Sequence, residues 1–78
     1  MSYPINKKEI YSARYPQGTI IELTAPLEDP YGGSKPVGSR FKVDFVDDAL
    51  NLHGSWLPPQ KGSLSVIIEH DSFKVVES

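Results

Sequence analysis

The chain of 78 residues contains no cysteine. No disulfide can staple it and no thiolate can hold a metal, so the fold must rest on apolar burial and hydrogen bonding. Cytosolic proteins rarely carry disulfides, so this absence fits a cytoplasmic setting. Long apolar runs are missing too. Nothing approaches the ~20 residues that cross a bilayer, and the opening MSYPINKKEI lacks the apolar centre of a signal peptide. Together these features predict a soluble cytoplasmic chain with no membrane partner. A basic excess is also lacking. The net charge is −2 with the signs interspersed, and Lys7-Lys8, extended by Arg14, is the one local cluster. Gripping a phosphate backbone calls for a basic face, which makes nucleic acid the alternative partner and not the first expectation.

Catalytic vocabulary is thin. His53 and His70 are the only histidines; a zinc site would need both, plus a carboxylate, brought together, and their spacing gives no such signal. No nucleophile motif surrounds any serine or threonine. The glycines of Tyr31-Gly32-Gly33-Ser34 lack the Lys-Ser/Thr ending of a phosphate loop and suit turns instead. Asp44 and Asp47-Asp48 read as solvated acids at a turn. The expectation is a non-enzyme without cofactor or metal.

What the chain does have is a period of two. Over residues 38–56, Phe41, Val43 and Phe45 alternate with Lys42 and Asp44. After a turn at 46–49, Leu50, Leu52 and Trp56 alternate with Asn51, His53 and Ser55. That pattern predicts a hairpin whose inner lining is Phe41, Val43, Phe45, Leu50, Leu52 and Trp56, with His53 on the outer row. Upstream, residues 1–5 read as an arm. Asn6 can cap a short helix over 7–13, with Glu9 closing a capping box and Ile10 and Tyr11 facing the body. Pro16 ends the helix at Tyr15. Residues 19–25 form a first strand with Ile21 and Leu23 inward. Residues 26–37, PLEDPYGGSKPV, are too rich in proline and glycine for a helix or a central strand. Downstream, 57–62 is a second proline-stiffened connection. Residues 63–69 make a strand with Leu64, Val66 and Ile68 inward. Residues 70–72 turn, and 73–76 end the sheet with Phe73 and Val75 on one face.

The predicted fold is mainly β: a small five-stranded antiparallel barrel, SH3-like, with a short N-terminal helix. Curling shut is an effective way for so short a chain to dispose of sheet edges. Residues 1–14 form the arm and helix, and 15–78 the barrel domain.

Tyr15-Pro16-x-Gly18, Asp29-Pro30-Tyr31, Pro36-x-Gly38, Val46-Asp47-Asp48, Leu52-His53, Trp56, Gly62-Ser63-Leu64 and Asp71-x-Phe73 follow one another in a familiar order. In this the chain resembles a small bacterial and phage family catalogued as a domain of unknown function, number 4314. The resemblance spans roughly residues 15–76 and implies a compact β-domain, often encoded on phages and other mobile elements, with no established activity. Two positions depart from the family pattern. Phe41 stands where a second glycine is usual, and the link after Trp56 is longer and proline-rich where the family has a short turn.

Long irregular loops beside a small sheet are where function tends to sit. The expected role is therefore a protein-interaction module from a phage or other mobile element. It would bind an unidentified protein partner through loops 27–35 and 57–61. The candidate binding residues are Asp29, Pro30, Tyr31, Lys35, Trp56, Pro58 and Pro59, which give these loops their aromatic and proline-rich character, although the aromatics are not arranged as in an SH3 ligand groove. Nucleic acid, held by Lys7, Lys8, Arg14 and Arg40, is the alternative. A homodimer through a strand edge, with Ile20, Ile67 and Val76 outward, is compatible with both.

Overall fold

A computed structural model describes residues 6–28, 33–62 and 64–77. Helix α1, Lys7–Arg14, begins where Asn6 Oδ1 accepts the Glu9 N–H at 3.3 Å, the Asn6 half of the expected capping box. No residue of α1 is buried. Tyr11 and Tyr15 lean on the core instead, and Ile10, expected to face the body, is exposed. The helix is pinned across two turns of the sheet: Lys7 Nζ and Tyr11 Oη both reach Glu69, at 3.1 and 3.2 Å, and Lys8 Nζ reaches Asp48 at 2.8 Å.

Five strands follow: β1 Ile20–Leu23, β2 Arg40–Val46, β3 Asn51–Trp56, β4 Val66–Ile67 and β5 Phe73–Glu77. All neighbours are antiparallel, in the order β4-β3-β2-β1-β5. The mainly β class, five strands and N-terminal helix agree with the sequence pattern. The sheet is not closed, because β4 and β5 hold opposite edges. β4 is shorter than its apolar run suggested: Val66 is buried, Ile67 faces out, and Leu64 and Ile68 pack on the core from irregular backbone. On β5, Phe73 reaches the core, but Val75, placed on the same face by alternation, is largely exposed at the sheet edge.

The core comprises Ile21, Leu23, Leu27, Phe41, Val43, Val46, Leu52, Trp56 and Val66. Phe41 and Trp56 stand opposite each other in the β2–β3 ladder, their rings edge-on with centroids 5.0 Å apart. Four of the six expected lining residues are thus inside, and two are not. Val43 pairs with Gly54 and Phe45 with His53, so a β-bulge at Asp44 lies between them. The extra residue breaks the alternation: Phe45 turns outward, 52% exposed, and Val46 takes the inner position. Leu50 is the last residue of the turn, not the first of the strand, and it has left-handed backbone with φ 62°. The turn closes through Asp47 N–H to Asn51 O at 3.0 Å and Leu50 N–H to Asp47 O at 3.1 Å.

The long loop between β1 and β2 is folded back on itself. Leu27 and Lys35 exchange both backbone hydrogen bonds, at 2.9 and 2.8 Å. That isolated bridge tucks Leu27 into the core and leaves residues 36–39 running back along Leu23.

Candidate functional site

The two loops singled out by composition meet in space. Lys35 is drawn inward, only 7% exposed, and its Nζ lies 5.5 Å from the centre of the Trp56 ring. The same Nζ donates to Gly33 O at 3.0 Å. A Cβ placed on Gly62 would stand 3.8 Å from it, so the Lys35 head also lies beside the end of the second connection. Trp56 is buried at the end of β3, and its indole N–H donates to Leu64 O at 2.9 Å. Loop 33–35 therefore roofs Trp56, and the ring fastens the segment after the second loop. A lysine stem can cover an aromatic face in this way while its head keeps a polar contact.

Beyond this roof the chain forms an open groove. Its walls are residues 36–40 on one side and 57–60 on the other. The walls are tied by Leu57 N–H to Arg40 O at 2.9 Å, and each holds its own turn: Ser39 Oγ donates to Pro36 O at 2.7 Å and Gln60 N–H to Leu57 O at 3.0 Å. Gly38, with φ 91°, supplies the left-handed bend that brings the first wall back into β2. Pro58 and Pro59, joined by a cis peptide bond, stand exposed on the second wall. Val37, 58% exposed, faces solvent from the first.

Of the sequence candidates, Lys35 and Trp56 come together as roof and floor, and Pro58 and Pro59 line the adjoining groove. Asp29, Pro30 and Tyr31 lie outside the described residues. Leu27 and Lys35 are buried, so the described part of the first loop supports the surface more than it forms it. The sequence offers Arg40 only as a cation for nucleic acid and Val37 only as the end of the irregular stretch 26–37, whereas in the structure both line the groove.

A second constellation occupies the hairpin tip. His53 lies flat against Phe45, and its Nε2 meets Asp47 Oδ2 at 2.6 Å. Asp47 Oδ1 accepts the N–H groups of Ala49 and Asn51, both at 2.9 Å. The Asn51 N–H above all, and then His53, hold the Asp47 carboxyl below its ordinary range. The sequence places His53 on the outer row, as found, and alternation alone does not join it to Asp47. The signal of the pair is a carboxylate at the head of a tight turn, six residues before a histidine on the returning strand. Among the described residues no three His, Asp or Glu side chains converge as a metal site would require, and no helix is long and apolar enough to cross a membrane.

Comparison with curated proteins and with solved structures finds no match. Residues 7–76, nearly all of the chain and containing both the roofed tryptophan and the groove, match the family described as Domain of unknown function (DUF4314), and the chain belongs to that family.

Proposed function

We propose that the protein is a non-enzymatic interaction module, of phage or other mobile-element origin, that binds a protein partner at the loop end of its sheet. The observation that carries this reading is the groove between residues 36–40 and 57–60. Exposed Val37, Pro58 and Pro59 line it, and the buried Lys35–Trp56 contact backs it. An apolar surface on a rigid support suits recognition, since little order must be gained on binding. Strand order β4-β3-β2-β1-β5 is also that of an SH3-like barrel opened between its last two strands, and we read the fold in that way.

Nucleic acid fits less well. Of the cations that reading relies on, Lys7 is paired with Glu69 and Lys8 with Asp48, and the Arg14 guanidinium lies 5.5 Å from the centre of the Tyr11 ring, which leaves Arg40, engaged with Glu22 through Nε, as a single cation rather than a basic face.

The test is site-specific photo-crosslinking. A photoreactive residue at Val37 should trap one protein from a lysate of the cells that make this chain, and the same residue at Ile67 on the β4 edge should not. Equal crosslinking from both positions, or from neither, removes the groove as the interaction surface.

A further inference from the structure

We infer that the groove takes an extended peptide segment carrying an acidic side chain, whose carboxylate is seated on the outer edge of the Arg40 guanidinium. This rests on the groove being the interaction surface and adds the chemistry of its occupant.

The argument begins with charge. On the outer face of the sheet Glu22 stands between Arg40 on β2 and Lys74 on β5, its register partners on either side. One carboxylate thus serves two cations: Arg40 Nε at 3.1 Å and Lys74 Nζ at 3.7 Å. Arg40 spends only its Nε on Glu22. Its two terminal nitrogens make no bond to the described residues, and over half of the side chain is open to solvent. A guanidinium held by Nε alone presents a planar pair of donors with the spacing of a carboxylate. Lys61 follows the second wall directly and is exposed. The acids of the hairpin, Asp44, Asp47 and Asp48, sit at the far end of β2, with local partners in Gln17, His53 and Lys8. Although the chain is acidic overall, the terminal nitrogens of Arg40 and the ammonium of Lys61 have no carboxylate partner among the described residues.

Shape completes the argument. The walls are short irregular segments about an open trough lined by Val37, Pro58, Pro59 and Arg40, the first three offering apolar contact. An extended chain alternates its side chains, so one can lie on the apolar walls as a neighbour reaches the cation.

A random peptide-display library panned on the intact chain tests this. Selected peptides should be enriched in Asp or Glu beside proline or aliphatic residues. A synthetic version of the best one should bind about tenfold or more weakly to Arg40→Gln, and by a similar factor when its acid is replaced by the amide. Its affinity should also fall with rising salt. Arg40→Gln leaves the core untouched, and an unchanged melting temperature checks that. Peptides that bind without an acid, or equally well to Arg40→Gln, but lose affinity in Val37→Ser, would sink the charge inference and leave the groove standing as an interaction surface. Selected peptides unaffected by both variants would sink the groove as well. A single-stranded oligothymidine that displaces the peptide and depends equally on Arg40 would assign the cation to nucleic acid and overturn the proposal.

Discussion

The ring of Phe45 lies flat on the imidazole of His53, 4.7 Å between centres and 4° from parallel. The stack exists because the bulge at Asp44 turns Phe45 to the outer face, where it covers one face of the imidazole while Asp47 holds its edge at Nε2. This arrangement makes the hairpin tip sensitive to acid. The folded-state pKa of Asp47 is depressed, chiefly by the Asn51 N–H and then by His53. Its contribution is therefore full above the unfolded carboxylate value of about 4 and is lost as pH falls through the lower folded value. The urea midpoint of the wild type should drop on acidification in that window. In Asp47→Asn the midpoint should start lower at neutral pH and the acid limb should be shallower. Parallel limbs for the two proteins would show that Asp47 contributes nothing to the acid response.

Gly54 is what allows the bulge. A Cβ there would overlap the Lys42 carbonyl oxygen and stand 3.0 Å from the Asp44 nitrogen, both backbone atoms that cannot rotate away. Gly54→Ala should cost about 3 kcal/mol, at the upper end of overpacking. Gly18, with φ 95° and open space around it, gives the comparison. There alanine meets only backbone strain, and Gly18→Ala should cost about 1–2 kcal/mol. Chemical denaturation of the two variants should rank them in that order.

The same bulge marks the limit of what the sequence could tell. A period of two located β2 and β3 and put Phe41, Val43, Leu52 and Trp56 inside, because regular pleating is the cheapest way to bury one row. Phe45 was misassigned because alternation carries no record of an inserted residue. The trace that existed was Gly54, a glycine amid strand residues opposite the break. Leu50 was misassigned because a left-handed leucine is uncommon, and the turn chemistry that forces it belongs to Asp47. Irregular, proline-rich composition did point to the loops that meet at the groove. It could not foresee that Lys35, a charged residue usually found in water, would be folded over Trp56.

Thr19 offers a test of polar burial. It is 1% exposed, and its Oγ1 has no hydrogen-bond partner among the described residues. Its backbone is fully engaged, donating to Pro16 O at 3.0 Å and accepting from Val43 N at 2.8 Å. Thr19→Val keeps the shape and removes the stranded hydroxyl. It should stabilise by about 1 kcal/mol, which for a domain of this size raises the melting temperature by about 4–8 °C. A lowered melting temperature would mean that the hydroxyl is satisfied in solution.

Lys35 and Trp56 tie the stability of the loop end to its use. Trp56 is the only tryptophan, so its emission reports on the roof directly. Lys35→Ala removes three methylenes and the ammonium from the ring face, a loss of about 2 kcal/mol if the stem is as buried as it stands here. It should also shift the tryptophan emission to the red and speed its quenching by acrylamide. Lys35→Met restores the stem without the charge. If packing holds the roof, Met should recover most of the stability and the blue emission; if the contact between cation and ring dominates, Met should behave as Ala does. Either result bears on the groove, because residues 36–40 hang from Lys35 by one peptide bond and inherit its position. A roof that opens in Lys35→Ala should loosen the first wall, and peptides that bind the wild type should then dissociate faster from the variant. Unchanged emission in Lys35→Ala would mean that Trp56 is covered by something other than this lysine.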